Sequence, residues 1–188
     1  MRRTRGDPGA AIGITFKRVS EYLLDGLANA SHGREPHRTA TGFCRSRSWR
    51  VTIALGAAVP AVSMSQRCTA LSTFEVELYA LVLLVRNIFA LMRIASFIFG
   101  RALPKSCVHC DNASVIAALR KCDLSAHTRH IRVHLGWLVE TLETEIDIRH
   151  VATLPNAANT LIAAEDRARF GRSAGVFSGS SPFDLECD

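Results

Sequence analysis

Three observations predict an α/β domain, a mixed β-sheet covered by helices. Short segments rich in β-branched and small residues come first, one long apolar stretch with helical period fills the middle, and strand-like and helix-like segments alternate after it. The chain has 188 residues, enough for one well-cored domain with tails. Hydrophobic residues make up 48% and charged residues 21%, which excludes an intrinsically disordered chain.

Residues 1–12 read as a flexible N-terminal segment. "IGITFKRVSEYLLDGL" alternates weakly and turns apolar before Asp25, which suits a strand ending at that carboxylate. "ANASHGREPH" reads as a loop from its Gly, Pro, Asn and Ser content. "TATGFCRSRSWRVTIAL" and "AVPAVSMSQ" read as two strands around "GAAVP". A helix is predicted over 73–99, because Leu78, Leu81, Val82, Val85, Phe89 and Met92 recur at three- and four-residue steps. "KSCVHCD" is a short strand, and "NASVIAALRKC" a short helix with Asn112 placed to cap it. "HTRHIRVHLGWLVETLE" reads as a helix with Trp137 in the core, "EIDIRHVAT" as a strand, and "NAANTLIAAEDRARF" as a last helix. Residues 171–188, rich in Gly and Ser, read as a disordered tail.

The net charge is +6, with basic runs at Arg2, Arg3 and Arg5 and at Arg45, Arg47 and Arg50. A solvated basic surface and a polyanion-binding surface both fit. No secretory h-region follows the N-terminus, so the six cysteines are expected to be reduced, in an intracellular protein. Cys107 and Cys110 form a CxxC with His109 inside it and Cys122 downstream. In a strand, positions three apart point to opposite faces, so structural thiols are expected there rather than zinc. The stretch from Leu78 to Gly100 is apolar enough to suggest a membrane span, but Arg86, Asn87 and Arg93 interrupt it. Arginines at mid-depth are costly, so a buried core helix with no membrane partner is expected. His127, His130 and His134 share one helix face and read as a surface or backbone-contacting stripe rather than a zinc set.

The apolar helix opens with two carboxylates, Glu75 and Glu77. Ser72 and Glu75 fit a capping box, in which Glu75 reaches back to the Ser72 N–H. Glu77 has no such local task and must be solvated, paired or bound to metal. Asp25 and Asp111 each end a predicted strand. Acids at strand ends, with one from a helix packed on the same sheet, can converge on divalent metal such as Mg²⁺, which prefers oxygen ligands. Two such ions support in-line phosphodiester hydrolysis.

The order of these segments resembles the ribonuclease H domain of the Pol polyprotein of copia-type retrotransposons, over residues 13–170. "LLDGLAN" sits where that family has an Asp-Ala-Asp-Trp-Ala run, and "HRTATGF" resembles its Arg-x-Ser-Thr-Ser-Gly-Tyr segment. "AVSMSQRCTALSTFEVELYAL" resembles its Val-Ser-Trp to Ala-Leu-Ser-Ser-Thr-Glu-Ala-Glu-Tyr stretch, and "VHCDNASVIAAL" its Cys-Asp-Asn-x-Ser-Ala-Ile segment. "HTRHIRVHLGWLVE" is similar to its Arg-Thr-Lys-His-Ile region, and "IRHVATLPNAANTL" to its closing Val-Pro-Thr-x-x-x-x-Ala-Asp-Ile.

The resemblance implies a ribonuclease H-like fold, a five-stranded mixed sheet with helices on both faces. It also implies hydrolysis of the RNA strand of RNA–DNA hybrids with two Mg²⁺ ions, for which Mn²⁺ can substitute. The partners it implies are the hybrid and, if translated together, the reverse transcriptase part of a Pol polyprotein, in a cytoplasmic particle or the nucleus. Carried over by position, the metal-binding and catalytic residues are Asp25, Glu77, Asp111 and Asn159. Asn159 stands where the family has Asp, and an amide oxygen carries no charge. Leu27 replaces the second acid of the first motif, and Ile162 and Ala163 replace the Thr-Lys after the last acid. The expectation is a weakened nuclease, with a catalytically dead remnant that only binds nucleic acid as the alternative.

Overall fold

The computed structural model describes residues 16, 24–33, 45–67, 69–121 and 131–151. Five strands and three helices follow in the order β1 Leu24–Ser31, β2 Arg47–Ala54, β3 Ala57–Ser65, α1 Thr73–Phe99, β4 Ser106–Cys110, α2 Ala113–Lys121, α3 Arg132–Thr144 and β5 Ile146–His150. They form one sheet in the order β3-β2-β1-β4-β5. The first three strands are antiparallel, and β4 and β5 run parallel to β1. This is the mixed five-stranded sheet that was expected.

The β2–β3 connection is a two-residue hairpin at Leu55 and Gly56, with φ of 54° and 79°. Two positive φ values in succession match the right-handed twist of the flanking strands. The turn therefore falls one residue ahead of the "GAAVP" segment.

Helix α1 begins and ends where its period predicts. Ser72 caps it through Oγ, which accepts from Glu75 N at 3.2 Å, and Gly100 closes it at φ 62°. Glu75 reaches one residue further back than a capping box requires: Oε2 accepts from Leu71 N at 2.7 Å. Its Oε1 accepts from the Tyr79 hydroxyl at 2.9 Å. Both oxygens of Glu75 thus hold the start of the helix. Tyr79 also meets the His134 ring edge-on at 5.3 Å, which ties α1 to α3.

By length and composition α1 could cross a membrane, with mean hydropathy 1.9. Here its buried stripe, including Leu81, Leu84, Val85 and Ile88, packs on one face of the sheet. Val115, Ile116 and Leu119 of α2 and Leu135 and Leu138 of α3 join the same core, and Trp137 packs against its edge. Each fully buried aliphatic side chain contributes about 1.5–3 kcal/mol. The three described helices thus share one face of the sheet. The opposite face carries Leu27, Trp49, Val51 and Ile53, all buried. The segment predicted as a last helix, and the tail from 171, lie outside the described residues.

One close approach fixes how α1 lies on β1. A Cβ on Gly26 would come within 2.7 Å of Ile88 Cδ1 and 2.9 Å of Leu84 Cδ1. At the other end of the strand, Ala30 N donates to Glu77 Oε1 at 3.1 Å. Moving toward the N-terminus of α1 therefore means moving toward the C-terminal end of β1. Four strand residues span roughly 13 Å, and the seven to eleven helical residues from Glu77 to Leu84 and Ile88 span roughly 10–16 Å, so the two elements keep step.

Candidate metal site

The carboxyl ends of β1 and β4 meet the first turns of α1 at one edge of the sheet. Parallel pairing sets Ala28 beside Cys110, so the next residues, Asn29 and Asp111, are neighbours. Asn29 Nδ2 donates to Asp111 Oδ2 at 3.2 Å, and its Oδ1 accepts from Ala30 N at 2.6 Å. Glu77 enters from α1 and is bound to the same Ala30 N–H. Asn29 and Glu77 are each only 5% exposed, so their polar atoms are largely cut off from bulk water.

Burial, together with the nearby charge of Asp111, pushes the Glu77 carboxyl up to about 8, against an opposing hydrogen bond from Ala30. Glu77 Oε2 is buried without a hydrogen-bond partner among the described residues. Cys110, under the same edge, is pushed up to about 12, chiefly by burial, with Glu77 and Asp111 adding to the rise. Two carboxylates in a poorly solvated pocket, one with a buried oxygen lacking a partner, are a donor set that fits a hard cation.

Of the four residues singled out in the sequence, Glu77 and Asp111 come together. Asp25 does not join them. It lies at the start of β1, four positions before Asn29, hence roughly 13 Å away along the strand. The expectation that the first strand ends at Asp25 fails because β1 continues to Ser31, through the first four residues of the predicted loop "ANASHGREPH". The residue that β1 brings to the acids is Asn29. Asn159 lies outside the described residues.

Asp25 has other neighbours. It pairs in register with Cys107, and the ligand atoms of Asp25, Cys107 and His109 lie within 4.8 Å of one another. Burial raises the Asp25 carboxyl above its usual range, and Arg149 opposes that shift. Burial, then the charge of Arg149, lowers His109 to about 4, with Asp147 working the other way. The CxxC is split as expected: Cys110 sits in the core under α1, and Cys107 points to the other face. Neither cysteine is in a disulfide. Arg47 and Arg50 are likewise three apart on β2 and serve opposite faces, so they do not form one basic run. Of the histidine stripe, only His134 is among the described residues, and it packs on Tyr79 rather than standing free.

The fold aligns with the ribonuclease H1 of Halobacterium salinarum at a TM-score of 0.52 and 16% identity, over 76% of this chain and 96% of that one. This chain has a ribonuclease H-like fold. A second ribonuclease H1, LC11, solved in complex with an RNA/DNA hybrid, aligns at a TM-score of 0.51 and 9% identity, over 74% of this chain and 99% of that one. In sequence, the ribonuclease H-like domain is 29% identical over 154 residues to the retrovirus-related Pol polyprotein from transposon TNT 1-94 of Nicotiana tabacum. The match covers 80% of this chain but spans 11% of that polyprotein. No protein-family model matches the chain. The ribonuclease H-like domain is thus distantly related to a retrotransposon Pol sequence.

Asn29 escaped the sequence reading, because only the pairing of β1 with β4 marks it. Parallel strands place their functional residues at their carboxyl ends. Asp111 follows β4 directly, so its counterpart follows Ala28, the last paired position of β1.

Proposed function

We propose that this domain binds RNA–DNA hybrid and holds divalent metal at Glu77 and Asp111 in a two-metal ribonuclease H site that has lost charge. The observation that carries this reading is the Asn29–Asp111 contact beside buried Glu77. In that position the Asn29 amide donates to an oxygen that would otherwise face a cation. Asn159, by resemblance, is a second amide in place of an acid. Hydrolysis of the RNA strand is then slow, and backbone binding persists.

When bound, Mg²⁺ supplies an activated water and stabilises the leaving oxygen. The residues of the chain that would hold it are Glu77, whose Oε2 is buried beside the strand ends, and Asp111, with Asn29 beside them as a neutral neighbour. The Ala30 N–H fixes the direction of the Glu77 carboxylate. The setting that goes with this reading is an intracellular one, a cytoplasmic particle or the nucleus, beside the reverse transcriptase part of a Pol polyprotein.

The test is cleavage of a labelled hybrid with Mg²⁺ or Mn²⁺, beside a salt-dependent binding assay. Asn29→Asp should raise metal-dependent cleavage by about tenfold or more, because changing even the outer partners of metal ligands moves activity by that factor. Asn159→Asp should add to it. Wild-type affinity for hybrid should fall steeply with salt, as phosphate contacts require. If Asn29→Asp leaves cleavage unchanged while the variant binds metal, the site has been assigned wrongly. Salt-sensitive hybrid binding with no cleavage in any variant would leave the domain a binding remnant only.

A further inference from the structure

The sheet face turned away from α1 carries a second set of donors that the site above does not use. Across three adjacent strands, Asp25, Cys107 and Asp147 stand in one register row, with Leu27, His109 and Arg149 in the next. Cys107 and His109 are two apart on β4 and so share a face. Asp25 joins them from β1, and the three ligand atoms already lie within 4.8 Å of one another. His109 is buried, while Asp25 and Cys107 are half-buried. The group is therefore held by the strand ladder and is still reachable from outside.

We propose that Asp25, Cys107 and His109 form a zinc site, separate from the Glu77–Asp111 edge, with solvent as the fourth ligand. A thiolate, an imidazole and a carboxylate are the donor types zinc takes, and three protein ligands with one open position is a recurrent zinc arrangement. The sulfur and nitrogen donors select against Mg²⁺ and Ca²⁺. Zinc with one thiolate and one carboxylate is neutral overall, which suits a position next to buried Leu27, the register partner of His109. Arg149 lies in the neighbouring row, but its Nε is bound to Asp147 Oδ2 at 2.9 Å, and both side chains are about half exposed. That pair can stay together while the cation occupies the Asp25 side of Cys107.

The CxxC spacing suggests a different site, built from both cysteines. The structure rules out that pairing, because Cys110 points into the core under α1. What replaces it is a Cys-x-His pair on one strand face, completed by an aspartate from the neighbouring strand.

Cobalt(II) titration of the full chain, reduced and free of metal, tests the proposal. The expected result is one equivalent that gives a thiolate-to-cobalt charge-transfer band and the strong visible bands of a tetrahedral site, removed by zinc; cobalt held by the oxygen ligands of Glu77 and Asp111 gives no such band. Cys107→Ser and Asp25→Asn should each weaken binding by more than about tenfold, since even outer-shell changes at a metal site reach that factor. Cys110→Ala and Glu77→Gln should leave the charge-transfer band unchanged. A missing charge-transfer band, a band that survives Cys107→Ser, or one lost in Cys110→Ala would each overturn the assignment. Because Glu77→Gln is silent here, failure of this site and failure of the Glu77–Asp111 site are separable.

Discussion

Replacing Glu77 by Gln should stabilise the metal-free domain at alkaline pH, although it removes a residue of the proposed site. In the folded chain the Glu77 carboxyl sits at about 8 against its ordinary value of 4.5, chiefly because it is buried and secondly because it faces Asp111. Below 4.5 both folded and unfolded chains hold the proton, and the group has no effect on stability. Between 4.5 and about 8 the folded chain keeps a proton that the unfolded chain releases, so stability falls as pH rises. At about 1.4 kcal/mol per pH unit, the full penalty above that window is on the order of 5 kcal/mol. Water entering the site and local relaxation reduce such penalties, and a difference of about 2–4 kcal/mol is expected.

Gln keeps the Oε1 acceptor for Ala30 N and carries no charge, so the variant escapes the penalty. Urea unfolding with a chelator present, at about pH 5 and about pH 8, gives the comparison through the midpoint at unchanged slope. His109 is shifted the opposite way, down to about 4, so it lends stability as pH rises through its own lower window. The difference between wild type and variant removes that contribution. Wild type and variant should lie close together at the lower pH and separate at the higher. Millimolar Mn²⁺ or Mg²⁺ should then restore wild type at the higher pH, because binding to the folded state alone stabilises it, and should do much less for Glu77→Gln. A gap that is the same at both pH values, or equal stabilisation of both proteins by metal, would refute the account of Glu77.

Two further predictions concern the scaffold. Gly26→Ala should cost about 1–3 kcal/mol by overpacking, since the new methyl meets Ile88 Cδ1 and Leu84 Cδ1 below 3.0 Å; denaturant unfolding measures it, and a neutral result would mean that those side-chain ends turn aside without moving α1. Leu55→Asn should raise stability by up to about 1 kcal/mol, because Leu55 holds a φ of 54° that asparagine tolerates better; an increase in the thermal midpoint checks it.

The sequence by itself determined the elements whose signals are local. The three- and four-residue period of α1, the Ser72 and Asn112 caps, and the alternation of β4 and β5 all follow from neighbours within a turn or two. The structure reproduces them nearly to the residue, with Asn112 Oδ1 accepting from Ser114 and Val115 N–H. The division of labour between the two glutamates was legible for the same reason: Glu75 is tied up by Leu71 and Tyr79, while Glu77 points to the strand edge. Only the tertiary structure decided which residue of β1 stands beside Asp111. An acid at a strand's presumed end looks the same in sequence whether the strand stops there or runs on for several residues. The parallel register with β4 and the seating of Gly26 under Leu84 and Ile88 settle that position. Those are contacts between segments some 60 to 80 residues apart, which no local pattern encodes. The same register carried Asp25 away from the acids and set it beside Cys107 and His109, because strand pairing sorts side chains by face and row rather than by chemical type.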